Sequence, residues 1–208
     1  MSANQFDAAP SEYIAVDQAS ILLGISNQAI VQAVLANRFL KAELDARLRA
    51  LLQPLPTDIP HDRAKLFNQL IKLPTARLDD LARTMTLFIN HQAILCTTEG
   101  SGLRAIAQWC GRQDFIEIVR TGGLPVFERW PVLSSAPPET LNLYAVKVRR
   151  YLLGLLPASY GQRLQLRFPR NEAPPVAFFT TDDPDRETFL GYALIAARQC
   201  ALEGPGDA

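Results

Sequence analysis

This chain has little histidine, little cysteine and no surplus of either charge. His61 and His91 are its only histidines, Cys96, Cys110 and Cys200 its only cysteines, and 21 cations balance 21 anions over 208 residues. Each shortage excludes something. A structural zinc site wants paired Cys and His ligands at short spacing, and no C-x-x-C occurs. His91 and Cys96 lie five apart on one expected helix and share no face cleanly. A thiol hydrolase pairing Cys110 or Cys96 with a histidine is the catalytic reading that survives. Three widely spaced cysteines make a poor disulfide framework and suit reduced core positions in a cytosol. Zero net charge argues against a nucleic-acid binder, whose affinity comes largely from phosphate contacts. The expectation is no catalytic residues, no metal, no cofactor and no nucleic acid.

Motifs for chemistry are missing too. No G-x-S-x-G elbow, dinucleotide fingerprint or kinase signature is present. Gly100-Ser101-Gly102 lacks the Gly-Lys-Ser/Thr ending of a phosphate loop and follows a helical pattern, so it reads as a helix–helix turn. Asp182, Asp183 and Asp185 lack the spacing, central glycine and closing glutamate of a calcium loop. Helix capping accounts for Asp183 and a favourable helix dipole for Asp185. The first cation is Arg38, so the N-terminus lacks the positive region of a signal peptide. Gln18 to Asn37 carries no charge and is long enough to cross a bilayer. Gln18, Ser20, Ser26, Asn27, Gln28, Gln32 and Asn37 would each be costly in hydrocarbon, so it reads as a buried helix or helix pair, with no transmembrane segment.

What is there is a mainly α chain. At 48% hydrophobic and 20% charged residues it has ordinary globular usage, and a chain of this size buries roughly 70% of its unfolded surface. One compact helical domain over residues 1–208 is expected, with frayed ends at about 1–10 and 204–208. Leu78, Leu81, Ala82, Met85, Phe88, Ile89 and Cys96 recur at helical spacing after Pro74-Thr75. Gly100 and Gly102 are expected to end that helix. A shorter one follows, burying Leu103, Ile106 and Ala107, and Phe115, Ile116 and Val119 mark another, closed by Gly122-Gly123. Phe39, Leu40, Leu44, Leu48 and Leu51 give an amphipathic helix whose outer face carries Lys41, Glu43, Asp45 and Arg47. Pro54, Pro56 and Pro60 punctuate one linker; Pro125, Pro131, Pro137 and Pro138 bracket another. Leu141, Tyr144, Val148, Tyr151, Leu152 and Leu155 make the next helix. Leu164, Leu166 and Phe168 then alternate with Gln165 and Arg167, which suits a strand, with Val176 to Thr180 as partner: a short two-stranded β element near residues 164–180. Asp183-Pro184 opens a last helix through Phe189, Leu190, Ala193 and Ala197.

One charge feature stands out. No acidic residue falls between Glu139 and Glu172, whereas Lys147, Arg149, Arg150, Arg163, Arg167 and Arg170 all do. These six are the candidate partner-binding residues. A basic face of this kind suits an acidic protein partner or anionic lipid headgroups; alternatively, its cations pair with carboxylates of the same fold. Trp130, beside Pro131 and after Phe127, is open to a core role or a binding-anchor role.

Three segments carry a family resemblance. Pro10-Ser11-Glu12-Tyr13-Ile14, with Phe6 ahead, is similar to the N-terminal Phe/Pro-x-x-Tyr-Ile/Leu element of the SctK/YscK family of type III secretion proteins. Leu78 to Cys96, leading into Leu103-Arg104-Ala105-Ile106, resembles that family's apolar middle helix. The run from Leu156-Pro157 through Arg163-Leu164 to Phe168-Pro169 matches its C-terminal segment. Ala15 departs from the pattern, standing where many members have histidine. The resemblance implies a non-enzymatic accessory subunit of the injectisome's sorting platform, at the cytoplasmic face of the inner membrane. Its implied partners are the forkhead-associated-like cytoplasmic domain of the inner-membrane ring protein SctD and the pod protein SctQ. A secretion chaperone or regulator, and the thiol hydrolase above, are the competing readings.

Overall fold

A computed structural model gives the fold and describes residues 3–97, 99–112, 114–121, 127–170 and 183–200. Regular structure there is helical: α1 (Ala3–Ala8), α2 (Val16–Leu23), α3 (Gln28–Ala36), α4 (Lys41–Leu51), α5 (His61–Lys72), α6 (Thr75–Ile89), α7 (His91–Leu95), α8 (Gly100–Cys110), α9 (Phe115–Thr121), α10 (Pro138–Gly154), α11 (Ala158–Arg167) and α12 (Arg186–Gln199). No strand occurs among the described residues. The mainly α expectation therefore holds. Contacts gather into two compact units. Described residues up to 72 and from 156 to 170 form the first, and those from 73 to 155 and from 183 to 200 form the second.

In the first unit, Phe6, Ile14, Ala19, Val31, Leu44, Leu48 and Leu166 are buried together. Residues 3–8, expected to be frayed, are thus part of a core, and the other expected frayed end, 204–208, lies outside the described residues. Ala3 and Phe6 are buried, and the Ala3 N–H donates to Asn68 Oδ1 at 2.8 Å. Burying a phenylalanine side chain stabilises by about 1.5–3 kcal/mol, enough to hold one short helix in place. Gln18 to Asn37 is a helix pair, α2 and α3, bent by 98°. Gly24 makes the break at φ +68°, a conformation glycine adopts without strain, and the Asn27 side chain caps α3. The pair is not buried as expected, for only Ala19 and Val31 are fully covered. No single described helix is long and apolar enough to cross a membrane.

Two further expectations fail here. Asp45 points inward, 6% exposed, and its Oδ1 accepts the Ser11 N–H at 2.9 Å. Phe39, Leu40 and Leu51 are exposed, Phe39 by 80%, because α4 begins only at Lys41 and its inner stripe is Leu44, Asp45 and Leu48. Residues 164–167 are also not a strand. They close α11, which starts after Pro157 and buries Ser159, Tyr160, Gly161, Arg163, Leu164 and Leu166. The proposed partner strand, Val176 to Thr180, lies outside the described residues. The alternation misled because a helix packed against α1, α2 and α5 is covered on more than one side, which erases the 3.6-residue period.

The second unit is organised on α6. Leu78, Leu81, Ala82, Met85, Leu87, Phe88 and Ile89 are buried, along with Thr84 and Thr86. Those two hydroxyls donate to the carbonyls of Asp80 and Ala82, at 2.9 and 2.8 Å, so their burial leaves no unmade hydrogen bond. The helix expected to run to Cys96 breaks at Asn90 instead. Asn90 is fully buried; its amide donates to Thr86 O and its Oδ1 accepts the Leu133 N–H at 2.8 Å. Gly100 opens α8 rather than closing the helix before it. α10, begun by Pro137 and Pro138, packs Leu141, Tyr144, Val148, Tyr151 and Leu152 inward, as their spacing predicts.

Aromatic rings fill the space beside α10. Trp130 lies 4.8 Å from Tyr151 and 4.7 Å from Phe189, ring centroid to centroid, and its indole N–H donates to the Tyr144 hydroxyl. Trp130 therefore packs against core rings, while remaining half-buried itself. Asp183-Pro184 does not start α12; Arg186 does, and the capping position is Asp185. Asp185 is 3% exposed and accepts the backbone N–H groups of Glu128, Arg129 and Trp130 at 2.6, 3.0 and 2.7 Å. Its role is to clamp the segment that carries Trp130.

Candidate protein-docking face on α10

The six candidate cations divide between the units, and they divide again by what they touch. Arg163 is 1% exposed. Its Nε and Nη2 donate to the two oxygens of Asp7, both at 2.6 Å, and its Nη1 to the carbonyls of Gln53 and Ser159 at 3.0 and 2.7 Å. It is an internal pin and presents no charge to a partner. Arg167 is half-buried, with its guanidinium 5.6 Å from the Phe168 ring centre. Arg170 is exposed, while its backbone N–H donates to Asp17 Oδ2 at 2.6 Å.

On α10 of the second unit, Arg149 pairs with Asp79, but Lys147 and Arg150 are exposed and have no ion-pair partner among the described residues. Internal pairing, the second of the two sequence alternatives, thus accounts for some of these cations and not for others. Carboxylates far away in the chain neutralise Arg149 and Arg163, whereas Lys147 and Arg150 remain uncompensated.

Around those two cations lies a surface the charge pattern did not show. Leu143 is 67% exposed and Val146 38%. Residues 143, 146, 147 and 150 follow i, i+3, i+4, i+7 spacing and so share one helix face. Beside it runs a groove of about 230 Å³ between α6 and α10, lined by Ala82, Ala145, Arg83, Asn142 and Val146 and by the Asp79–Arg149 pair. Arg83 is half-buried and also has no ion-pair partner among the described residues. A signal for Leu143 and Val146 does exist in the sequence: both are apolar yet out of phase with the Leu141, Tyr144, Val148 stripe. Arg83 carries no such signal, since only packing brings α6 alongside α10. In the first unit, Ile21, Ile30, Phe39 and Leu40 are also exposed, by 57, 51, 80 and 46%. An Arg38 guanidinium stands 4.7 Å from the Phe39 ring centre.

The thiols occupy different ground. Cys96 is exposed. Cys110 and Cys200 line a cavity of about 360 Å³ with Arg77, Arg83, Arg112 and Thr84, and no histidine lines it. Burial pushes both thiols above the ordinary range; a Thr84 hydroxyl 3.3 Å from the Cys200 sulfur partly offsets this for Cys200. Arg112 is held by a two-point bond to Asp114, at 3.0 and 2.8 Å, which lowers that carboxyl's pKa. Among the described residues no three His, Cys, Asp or Glu side chains converge on a point that suits a metal ion. Since the thiolate is the reactive species, a maleimide at neutral pH should label Cys96 at least about tenfold faster than Cys110 or Cys200. The slow pair should gain as pH climbs past the usual thiol range. Peptide mass mapping over time reads this, and rapid labelling of Cys110 would revive the hydrolase reading.

No protein-family model matches this chain, and no match is found among curated proteins or among solved structures.

Proposed function

We propose that this chain is a non-enzymatic adaptor of a bacterial type III secretion sorting platform, joining the cytoplasmic domain of the ring protein SctD to the pod protein SctQ. In this reading it works at the cytoplasmic face of the inner membrane and contains no catalytic centre. The observation that carries the binding role is the α10 face, where apolar Leu143 and Val146 stand out of phase in solvent beside unpaired Lys147 and Arg150. Exposed apolar side chains rimmed by unpaired charge are what a protein-docking surface requires. A joining subunit needs two such surfaces, and the exposed Ile21, Ile30, Phe39 and Leu40 of the first unit supply a second. The SctK/YscK resemblance gives the binding role its setting.

Two of the resemblance's three segments meet in the first unit. Phe6 and Ile14 share a core with Leu166, and the Ala15 N–H donates to Leu166 O at 2.8 Å. Residues of those segments help hold the unit together.

Envelope crosslinking followed by purification of the tagged chain should bring down both ring and pod subunits. Lys147→Glu with Arg150→Glu should reduce recovery of one of them by on the order of tenfold, since rim charges set encounter and register. Arg149 and Arg163 are unsuitable for this test, because reversing them breaks internal pairs. Absence of both subunits from the wild-type preparation would end the adaptor reading.

A further inference from the structure

The geometry points to an acidic amphipathic helix as the occupant of the α6–α10 groove. This deepens the adaptor reading by giving its α10 contact a partner of stated chemistry. Leu143 and Arg150 are two helical turns apart, about 10 Å along the axis, so the face fits a helix of two to three turns. Ala82 and Ala145 keep the groove floor low, which makes room for a ridge of larger side chains from outside. Leu143 and Val146 give such a ridge apolar atoms to bury against.

The charges select the partner's sign. Arg149 is neutralised by Asp79. Arg83, Lys147 and Arg150 have no ion-pair partner among the described residues, and Glu139, at the far N-terminal end of α10, is that helix's only carboxylate. Asp79 and Arg149 in the lining cancel each other, so the three unpaired cations leave the surroundings of the groove net positive. An acidic helix would satisfy them on both flanks of its apolar ridge, the arrangement of helix-in-groove recognition. Nucleic acid would use aromatic platforms for its bases to stack on, and residues 142–150 on this face offer aliphatic Leu143 and Val146 instead. A membrane is a flat surface and would leave the concave groove unfilled.

Fluorescence anisotropy of the full chain with labelled synthetic helices tests this. The probe is a peptide about 18 residues long, enough for helix formation, with leucine at i, i+3, i+4, i+7 and glutamate on the flanks. One control replaces glutamate with lysine; another keeps the composition and scrambles the leucines. The acidic amphipathic peptide should bind at least about tenfold more tightly than either, and its affinity should fall between about 50 and 300 mM salt. Leu143→Asp should cost about tenfold. Lys147→Glu with Arg150→Glu should cost as much and turn preference towards the lysine peptide, a gain that a merely unfolded variant would not show.

Equal binding of all three peptides, unchanged binding by the charge-reversed chain, or tighter binding to anionic phosphatidylglycerol vesicles or a single-stranded oligonucleotide would overturn the proposal. If the peptides fail while ring and pod subunits still co-purify, the adaptor reading stands and this groove is not its contact. If the peptides succeed and neither subunit co-purifies, the groove stands and the secretion assignment falls.

Discussion

Arg163→Met should destabilise the chain by about 3–5 kcal/mol, the cost of stripping one partner from a buried ion pair, seen as a lower urea midpoint by far-ultraviolet circular dichroism. Methionine keeps much of the side-chain volume, so the loss reports hydrogen bonding and charge more than a cavity. Four donor contacts disappear, two to Asp7 and one each to the carbonyls of Gln53 and Ser159. What remains is a carboxylate with 28% of its side chain exposed and no counter-charge. Asp7→Asn should cost less, because an amide oxygen still accepts from the guanidinium. Asp7→Leu combined with Arg163→Met should recover much of the loss, since well-packed apolar replacements of a buried pair are often neutral or better. A single Arg163→Met variant within about 1 kcal/mol of wild type would show that the pin contributes only what a surface pair does.

Asp185→Ala should cost a comparable amount, about 3–5 kcal/mol. Three backbone N–H groups converge on one carboxylate that is 3% exposed. Each is a hydrogen bond to a charged acceptor, worth about 1.5–3 kcal/mol singly, and the three are not additive. Asp185→Asn should cost less than alanine yet remain damaging, because the amide turns one acceptor into a donor facing N–H groups. Since Trp130 supplies one of those N–H groups and stacks on Phe189 and Tyr151, loosening should also shift its emission to longer wavelength. An alanine variant with unchanged emission and midpoint would show that residues 128–130 are held by their ring contacts alone.

Neither residue could be ranked this way from sequence. Arg163 sits in a basic run and reads as surface charge; Asp185 sits in an acidic run and reads as a helix end. Both readings use local composition, and both fail because the deciding partner is remote: Asp7 for one, the 128–130 backbone for the other. Helices with one buried stripe were legible. α10 follows its apolar spacing from Leu141 to Val148, where a single covered face preserves the period, and the stripe of α6 is visible from Leu78 to Ala82, although residues 84–89 are covered on every side. α11 was not, being covered from several sides, and α4 lost its ends to solvent for lack of neighbours there. At the candidate site, Lys147 and Arg150 were legible as charge and Leu143 as a phase error, but the groove needed α6 beside them.

The first unit joins residues far apart in the chain, with Asp7 bonded to Arg163 and Ala15 to Leu166, and residues 73–155 of the second unit lie between them in sequence. On the ribosome this imposes an order. A nascent chain exposes Phe6, Ile14 and Leu48 long before α11 emerges to cover them, while everything in between is still being made. Contacts so distant in sequence form slowly, and waiting apolar surface invites aggregation. Truncation after residue 155 therefore removes more than a tail: it strands the N-terminal third without its closing helix and takes α12 from the second unit. Overproduction should depend on holdase chaperones during synthesis.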